Sequence, residues 1–459
     1  MYLFAPDDPR PLHFLGIAGA GMSALALIAR RRGVRVTGCD ADAGGVSDLA
    51  AMGIEVYGGH DPEHVAGARA VVYTAAVRAD HPELEAARRA GLAVVRRADA
   101  LAQAVRGGSL VAVAGTHGKT TTTAMVAEVL AAAGYDPTAL VGGRVPGWGG
   151  NARLGGSEYF VVEADEYDRA FLSLEPELAL ITNVEVDHLE CYGTLAAIED
   201  AFAEFAGRAR HVVVSAEDPG AGRVAARLSV PVWRVGSALG AEVRIERVEL
   251  GARGSSARVR LPGGRLVDLR LALAGLHNVM NGAMAMAAAA ALGADLEKAV
   301  AALAGFSGVS RRFELVGRAG GVWVVDDYAH HPTEVAATLR AARQRFPEAR
   351  LVAVFQPHLY SRTQLMAEEL GGALSAADLV VVTEVYAARE DPIPGVSGRL
   401  VAEAAEKHGA EVAWIPERVR LVDQLLELVR EGDVVLTLGA GDITRVGREL
   451  LASLTSTRA

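Results

Sequence analysis

The sequence predicts an α/β protein of three domains, and three observations lead to this fold class. The chain has 459 residues, which is about three times the usual length of a single domain. Short apolar runs alternate with helical segments along most of the chain, as in parallel sheets covered by helices. Glycine turns near residues 16–21 and 115–118 each follow a strand-like run and precede a helical one.

The first domain is expected over residues 1–107. Its expected strands are Leu12–Ile17, Val34–Cys39 and Ala70–Thr74, with a helix at Ser23–Arg32. This order predicts a doubly wound parallel sheet, that is, a Rossmann-like domain. The apolar run at 12–29 reaches the length of a membrane span, but glycines and a histidine interrupt it. We therefore interpret that run as a strand, a tight turn and a buried helix, with no membrane partner.

The second domain is expected over residues 108–312 and the third over residues 313–459. The second should be a P-loop ATPase-like domain with a mixed sheet, because it has parallel-type strands and then an antiparallel-looking stretch, Glu242–Leu273, before a helix at 278–292. Its first strands are expected at Ser109–Ala114, Tyr159–Glu163, Leu178–Thr182 and His211–Ser215. The third should again be Rossmann-like, with strands at Val322–Val325, Leu351–Phe355, Leu379–Thr383 and Val434–Leu438.

The composition excludes several function classes. There are 46 basic residues against 56 acidic ones, which gives a formal net charge of −10, so no nucleic-acid partner is expected. The chain is 51% hydrophobic and 22% charged, as in globular proteins with sizeable cores. Its only cysteines are Cys39 and Cys191. A disulfide framework is therefore not expected, and the cytoplasm is the predicted location.

The first glycine turn is a candidate binding site for a diphosphate. Its residues are Gly16, Gly19, Gly21, Met22 and Ser23, and Asp40 ends the next expected strand. Read from Gly19, the turn fits G-x-G-x-x-A, in which amides at the helix start face a diphosphate. A turn needed only for strand–helix packing has the same pattern. The turn by itself leaves open both a nicotinamide dehydrogenase and a nucleotide-sugar site.

The second glycine turn is more specific, because a lysine and a threonine open the helix that follows it. Its residues are Gly115, Thr116, His117, Gly118, Lys119, Thr120 and Thr121. The amides of such a turn cradle β- and γ-phosphates, while the lysine neutralises them and the Thr120 hydroxyl ligates Mg²⁺. The pattern is shortened, since Val113 stands where the generic pattern has glycine. ATP is the expected nucleotide.

Acidic and histidine residues follow two strands of the second domain. Glu163, Asp165 and Glu166 end one strand, and a polar run that closes with His188 ends the next. Carboxylates beside a phosphate loop suit Mg²⁺, although an imidazole ligand is unusual for this ion. One such cluster alone also fits a solvated acidic turn. We expect Thr120, Glu163 and His188 to be the metal ligands.

Two polar clusters follow strands of the third domain, at 326–333 and 355–363. They contain histidines, tyrosines and an arginine, as in a rim that binds a carboxylate or an amine. Loop residues that cap the next helix would give either cluster alone. Their occurrence together favours a functional rim.

Together these motifs resemble the Mur ligase family of ATP-dependent amide-forming enzymes, nearly from end to end. The matching segments are HFLGIAGAGMS, GTHGKTTT, VVEADEYDRAFL, ITNVEVDH, LHNVMN, SRRFE, DDYAHHPTEV, FQPHLYSRT and GAGD. The resemblance implies a ligase of peptidoglycan precursor synthesis. It would join L-alanine to the lactyl carboxylate of UDP-N-acetylmuramate through an acyl phosphate. The alternative is a murein-recycling ligase that adds a tripeptide to the same sugar nucleotide.

The resemblance also implies a role for each domain and for single residues. The first domain would hold the UDP-sugar diphosphate on its glycine turn, the central one ATP and Mg²⁺, and the last one the amino acid. Gly115–Thr121 would wrap the phosphates, with Lys119 essential for catalysis. Asn278 would contact the adenine of ATP. Arg312 would contact the γ-phosphate, and Asp327 would contact the ribose. The residues on the alanine and carboxylate side would be Tyr328, His330, His358 and Arg362, and His330 or His358 would be the general base.

Two departures from the family pattern stand out. Several relatives ligate a second Mg²⁺ through a carbamylated lysine, but the corresponding segment, Ala197–Arg208, contains no lysine. A second metal would therefore need carboxylates such as Glu166, or water. In addition, Leu359 stands where a basic residue is usual, which leaves Arg362 as the cation of that motif. Either a monomer or a homodimer is expected.

Overall fold

The structure is a computed structural model that describes residues 2–42, 44 and 46–456. It confirms the predicted α/β fold, with three sheets of five, ten and six strands. The strands are β1 (Leu12–Leu15), β2 (Val36–Asp40), β3 (Glu55–Gly58), β4 (Ala70–Tyr73), β5 (Ala93–Arg96), β6 (Ser109–Ala114), β7 (Thr138–Val145), β8 (Gly150–Arg153), β9 (Tyr159–Glu163), β10 (Leu178–Ile181), β11 (His211–Ser215), β12 (Val232–Gly236), β13 (Val243–Gly251), β14 (Gly254–Arg260), β15 (Leu266–Leu271), β16 (Glu314–Ala319), β17 (Val322–Asp327), β18 (Leu351–Phe355), β19 (Leu379–Val382), β20 (Val412–Trp414) and β21 (Val434–Leu438).

Helices connect most of these strands, as parallel pairing requires. They are α1 (Ala20–Arg31), α2 (Ser47–Ala51), α3 (Pro82–Arg89), α4 (Arg97–Val105), α5 (Lys119–Ala132), α6 (Leu189–Tyr192), α7 (Leu195–Gly207), α8 (Pro219–Ala225), α9 (Leu276–Ala291), α10 (Leu296–Gly305), α11 (Pro332–Arg345), α12 (Tyr360–Leu374), α13 (Arg399–Lys407), α14 (Leu421–Leu428) and α15 (Thr444–Ser456). Within the described residues, no helix is both long and apolar enough to cross a bilayer.

The N-terminal sheet has the strand order β3-β2-β1-β4-β5, and all its neighbouring strands are parallel. The apolar run at 12–29 forms β1, the glycine turn and α1, as expected, and residues 22–29 of α1 are buried. The helix begins at Ala20 and not at Ser23, because Gly19 is its N-cap and Gly21 lies within its first turn.

The central sheet has the order β15-β14-β13-β12-β11-β10-β6-β9-β7-β8. Strand β6 is parallel to both of its neighbours, β9 and β10. The residues that follow these three strands therefore lie at one edge of the sheet. Strands β7 and β8 are antiparallel, so the sheet is mixed, as predicted. The stretch that looked antiparallel in the sequence contains β13, β14 and β15.

The C-terminal sheet has the order β16-β17-β21-β18-β19-β20, with β16 antiparallel to β17 and the other pairs parallel. Leu438, at the end of β21, is in register with Asp327 of β17 and with Phe355 of β18. The loops after these strands therefore start at one level on the same edge.

The chain divides into two compact units by its internal contacts. One contains Met1–Val248, Ala257–Arg270 and Val279–Ser307, and the other contains Glu249–Ser256, Leu271–Asn278 and Gly308–Ala459. The predicted domain limits after residues 107 and 312 remain predictions.

Candidate active site

The first glycine turn connects β1 to α1, and backbone contacts with the end of β2 hold it in place. Gly16 has φ +81°, a conformation that favours glycine. Its amide and that of Ile17 donate to the Cys39 carbonyl at 2.9 and 3.0 Å. The Ala18 amide donates to Asp40 Oδ2 at 2.9 Å. The Asp40 carboxylate therefore fixes the shape of the turn.

The start of α1 has the features of an anion site. Its N-cap is Gly19, which has no side chain that could cap the first amides, so an anion can bind them. Met22 and Ser23 are buried behind the turn. Asn151 of β8 accepts a hydrogen bond from Ser23 Oγ at 3.3 Å and donates one to the Ala20 carbonyl. The central sheet thus supports this helix start, a contact that no local sequence pattern indicated.

The second glycine turn lies between β6 and α5, as predicted, and residues that follow β10 contact it. A Cβ on Gly115, whose φ is +137°, would lie 2.0 Å from Thr182 Oγ1. The Asn183 carboxamide accepts from the His117 amide at 2.7 Å and donates to the His117 carbonyl at 3.1 Å. The Glu185 amide donates to Thr116 Oγ1 at 2.9 Å. The motif 181–188 therefore shapes the loop, besides ending in His188.

Lys119 is held by its own loop and by a buried carboxylate. Its Nζ donates to the carbonyls of Gly115 and Thr116 at 2.6 and 3.2 Å and to Glu166 Oε1 at 2.8 Å. The Glu166 side chain is 5% exposed. Burial opposes the charge on Lys119, but Glu166 and then Asp165 keep its pKa above the ordinary value. The lysine is thus a permanent cation at the mouth of the loop.

The three expected metal ligands occupy the edge formed by β6, β9 and β10. Thr120 Oγ1 donates to Glu163 Oε1 at 3.0 Å, so these two groups are in contact. His188 follows β10 with φ +51°, and its ring lies 5.1 Å from that of Tyr167. His188 Nδ1 is buried and makes no hydrogen bond among the described residues. The contact between the Thr120 hydroxyl and the Glu163 carboxylate brings together two oxygen ligands of the kind that a divalent cation prefers.

Thr121 follows Thr120 in the first turn of α5 and is buried. Asn278 is in the other compact unit, near the start of α9. It is 6% exposed, and its side-chain amide donates to the Ala274 carbonyl at 2.7 Å. The structure therefore gives Asn278 a local role at the helix start.

Arg312 and Tyr328 lie at the edge formed by β17, β21 and β18. The guanidinium groups of Arg311 and Arg312 both lie 5.0 Å from the centroid of the Tyr328 ring. Arg312 Nη1 is 3.5 Å from Glu334 Oε1. Arg311, which the sequence did not single out, donates to the Gly439 carbonyl at 2.7 Å. Two cations therefore meet at this rim, and Tyr328 contacts both.

Asp327 is 6% exposed and binds the backbone on both sides of it. Its Oδ2 accepts from the Phe313 amide at 2.7 Å and its Oδ1 from the Ala329 amide at 2.8 Å. Burial raises the pKa of Asp327 to about 6, against the opposing effect of Arg312. The carboxyl group thus joins the segment of Arg312 to the segment of Tyr328.

His330 and His358 face each other, with ring centroids 5.8 Å apart. His330 Nδ1 lies 3.0 Å from the Tyr328 carbonyl, which can only accept. Neutral His330 therefore carries its proton on Nδ1 and its lone pair on Nε2. His358 Nδ1 lies 3.3 Å from Arg362 Nη1, which can only donate. The lone pair of neutral His358 therefore points to Arg362.

The segment after β18 holds Arg362 in a buried position. Leu359 is 3% exposed with φ +68°, and its amide donates to the Tyr386 carbonyl at 3.0 Å. Arg362, one turn later in α12, is 7% exposed. The leucine at the usually basic position is thus a core residue. Tyr386, which stacks on His358 at 5.8 Å, was not expected from the sequence.

Three family models match the chain in succession. Residues 11–108 match one described as Mur ligase family, catalytic domain. Residues 113–289 match the Mur ligase middle domain, and residues 311–441 match the Mur ligase, glutamate ligase domain.

Individual relatives are similar over nearly their whole length. The UDP-N-acetylmuramate–L-alanine ligase of Cutibacterium acnes is 46% identical, with 98% of each chain covered. The crystal structure of UDP-N-acetylmuramate-alanine ligase from Thermotoga maritima has a TM-score of 0.83 and 31% identity, covering 98% of this chain and 100% of that one. A murein peptide ligase from Psychrobacter arcticus has a TM-score of 0.74 and 26% identity, covering 97% and 99%.

Proposed function

This chain belongs to the Mur ligase family, and from that premise we propose that it joins L-alanine to UDP-N-acetylmuramate. It is an ATP-dependent ligase that forms an amide bond, and its reaction belongs to peptidoglycan precursor synthesis. One observation carries the proposal: a relative with the name UDP-N-acetylmuramate–L-alanine ligase is 46% identical over 98% of both chains. The murein peptide ligase is less similar, at 26% identity, so the tripeptide-adding alternative is not favoured.

Each substrate is assigned to one part of the chain. The uncapped start of α1 supports a site for the UDP-sugar diphosphate at Gly16–Ser23, in a domain of residues 1–107. The loop Gly115–Thr121 supports a nucleotide site in a domain of residues 108–312. The rim of Tyr328, His330, His358 and Arg362 supports an amino-acid site in a domain of residues 313–459. Asn278 and Asp327 are assigned to the adenine and the ribose by family resemblance.

Mg²⁺ is the metal that we assign to Thr120, Glu163 and His188. The contact between Thr120 Oγ1 and Glu163 Oε1 and the buried Nδ1 of His188 without a hydrogen bond support this donor set. When bound, such an ion neutralises charge on the phosphates of ATP. Lys119 contributes further positive charge to the γ-phosphoryl group, and Arg312 is assigned to that group by family resemblance alone.

The lactyl carboxylate is a poor electrophile, because direct amide formation would have to expel oxide. Its oxygen instead attacks the γ-phosphorus of ATP and ADP leaves, which gives an acyl phosphate. The amine of L-alanine then attacks the acyl carbon, and phosphate leaves from the tetrahedral intermediate. Water has to be excluded between the two steps, because it would hydrolyse the acyl phosphate.

The attacking amine must lose a proton, and of the two candidates we assign this base to His330. Its Nδ1 faces a carbonyl oxygen, so its Nε2 carries the lone pair that can accept the proton. The Glu334 carboxylate, 3.5 Å from Nδ1, balances the charge of the imidazolium that forms. In His358 the corresponding lone pair faces Arg362, so His358 is assigned to substrate positioning. The cytoplasm, where ATP and the sugar nucleotide are available, is the proposed location.

Phosphate release tests the proposal. The protein is incubated with ATP, Mg²⁺ and UDP-N-acetylmuramate, with and without L-alanine, and with the tripeptide as a competing acceptor. We expect release that requires both the sugar nucleotide and L-alanine. Faster turnover with the tripeptide would favour the recycling reaction. Release that needs neither acceptor nor sugar nucleotide would contradict the ligase assignment.

A further inference from the structure

A cluster of potential metal ligands is buried in the N-terminal sheet, and it contains none of the residues assigned above to ATP. His13 lies on β1, Cys39 on β2 and Glu83 at the start of α3. All three side chains are fully buried. His60, in the loop after β3, reaches the same cluster with a side chain that is 30% exposed. The reaction proposed above uses none of these side chains.

The donor atoms of His13, Cys39 and Glu83 all lie within 4.8 Å of one another, and four distances in the cluster are close to the edges of a zinc tetrahedron, with each Glu83 oxygen facing one histidine. Zn–N and Zn–S bonds of about 2.0 and 2.3 Å imply N···S edges of about 3.6 Å and N···O edges of about 3.4 Å. Cys39 Sγ lies 3.5 Å from His13 Nε2 and 3.6 Å from His60 Nδ1. Glu83 Oε2 lies 3.3 Å from His13 Nε2, and Glu83 Oε1 lies 3.2 Å from His60 Nδ1.

The distance between Cys39 and Glu83 is shorter than the others, because the thiol proton lies between the two side chains. A metal ion would displace this proton. Cys39 Sγ lies 3.0 Å from Glu83 Oε2, which is a thiol donating to a carboxylate. Burial and then Glu83 raise the pKa of Cys39 above its ordinary value. A divalent cation reverses this preference, because it binds the thiolate and releases the proton. Metal binding would then lengthen this edge by about 0.5 Å.

Contacts around the cluster orient the ligands as metal sites require. His13 Nδ1 lies 3.0 Å from Thr37 Oγ1, so Nδ1–H can donate there while Nε2 offers its lone pair to a metal. The Asp61 amide donates to Glu83 Oε1 at 3.0 Å, which leaves Oε2 facing His13 and Cys39. His60, partly exposed, provides a path for entry of the ion.

We propose that His13, Cys39, Glu83 and His60 bind one Zn²⁺ as a structural site of the N-terminal sheet. The ligand set of imidazole, thiolate and carboxylate is one that zinc selects. With one thiolate, one carboxylate and two neutral imidazoles, the bound site carries no net charge. The ion joins β1, β2, the loop after β3 and α3. It also braces the glycine turn, because the Cys39 carbonyl accepts from the amides of Gly16 and Ile17.

Cobalt substitution tests this site in the full-length protein. The protein is stripped with a chelator and titrated with Co²⁺, and thiolate-to-cobalt charge transfer is followed in the near ultraviolet. We expect a charge-transfer band that saturates at one Co²⁺ per chain and is displaced by Zn²⁺. Absence of the band in the native sequence would overturn the proposal.

Two cysteine variants identify which thiolate binds the metal. Cys39→Ser should abolish the band, whereas Cys191→Ser, which removes the other cysteine, should retain it. Because Cys191 lies three residues after His188, the opposite result would place the metal at the ATP site and overturn the proposal. Glu163→Gln should likewise retain the band.

If Cys39→Ser fails to fold, which circular dichroism would reveal, His60→Gln provides a second test of the site. Its side chain is partly exposed, so the variant should fold, and its visible d–d bands should shift. We expect its Co²⁺ affinity to fall at least about tenfold. An unchanged affinity and spectrum would exclude His60 from the site. Zn²⁺ should also raise the thermal midpoint of the native protein and of Cys191→Ser, but not that of Cys39→Ser.

Discussion

Lys119 Nζ lies 2.8 Å from Glu166 Oε1, so the lysine at the start of α5 has a buried carboxylate partner. The ion pair keeps the cation at the loop mouth. In the proposed ATP complex, phosphate oxygens would replace Glu166 as the anionic partner of Lys119.

Glu166→Gln should destabilise the nucleotide-free protein by about 3 kcal/mol, because Lys119 then becomes a buried charge without its carboxylate. A bound triphosphate supplies the missing negative charge. Adding a non-hydrolysable ATP analogue should therefore raise the thermal midpoint of Glu166→Gln by more than it raises the thermal midpoint of the native protein. Asp168→Asn, which removes an exposed carboxylate 3.5 Å from Arg96, is the matched control. If the ATP analogue raised the thermal midpoint equally in both variants and in the native protein, the proposed exchange of partners would be contradicted.

Lys119→Ala should lower ADP formation by at least about 10³-fold, because the γ-phosphoryl group loses its principal protein cation. Binding of UDP-N-acetylmuramate, measured by calorimetry, should change less than about threefold, since the two sites use different glycine turns. Lys298→Ala, at a lysine that is 62% exposed, is the control. Loss of ADP formation together with loss of UDP-N-acetylmuramate binding would refute this division of roles.

Asp40→Ala should weaken the UDP-sugar site and spare the ATP site. The carboxylate's hydrogen bond to the Ala18 amide is of the charged kind, which contributes about 1.5–3 kcal/mol. We expect the KM for UDP-N-acetylmuramate to rise about 10–100-fold, with the KM for ATP unchanged. Asp42→Ala, two residues later and exposed, should leave both constants unchanged. A rise confined to the KM for ATP would show that the turn serves the nucleotide.

His330→Gln should lower kcat by about 10²–10⁴-fold, as expected for loss of a general base. Acyl phosphate formation, trapped with hydroxylamine as the hydroxamate, should persist in this variant. His358→Gln should mainly raise the KM for L-alanine. If the His358 variant lost kcat and the His330 variant kept it, the two assignments would be exchanged.

Asp327 should make stability fall with rising pH between about 4 and 6. Its pKa is raised from 3.8 to about 6 in the folded protein, so the folded state binds the proton more tightly than the unfolded chain. That stabilisation is present below pH 3.8 and is lost as the pH rises to about 6, a total of about 3 kcal/mol.

Asp327→Asn should lose hydrogen bonding at every pH but should lack this slope. The difference in thermal midpoint between Asp327→Asn and the native protein, measured from pH 4 to pH 8, should therefore shift in favour of the variant as the pH rises. A difference that does not depend on pH would show that the carboxyl group is ionised throughout.

Local patterns were enough for much of the fold and of the candidate site. Ser109–Ala114, Tyr159–Glu163 and Val434–Leu438 were predicted with the bounds that the structure has, because buried parallel strands are continuous apolar runs. Thr120 and Glu163 were predicted as ligands of one metal ion, because an acidic motif closes a strand beside the second glycine turn; the two side chains are in contact.

Other functional contacts left no trace in the local sequence. Asn151 and Tyr386 lie far along the chain from the segments that they support, and only the pairing of distant strands and loops brings them there. Glu166 stood in a recognised acidic motif, but its pairing with Lys119 depends on how two strand ends turn relative to each other.

The sequence by itself determined the class of fold, the glycine turn between β6 and α5 and the family, because each of these depends on residue type and spacing within short segments. The tertiary structure decided which donor faces which acceptor: Lys119 with Glu166, His358 with Arg362, and His13 and Cys39 with Glu83. Hydrogen bonds and metal bonds depend on distances of a few ångströms between residues that are far apart in the chain, and only the packed sheets fix those distances.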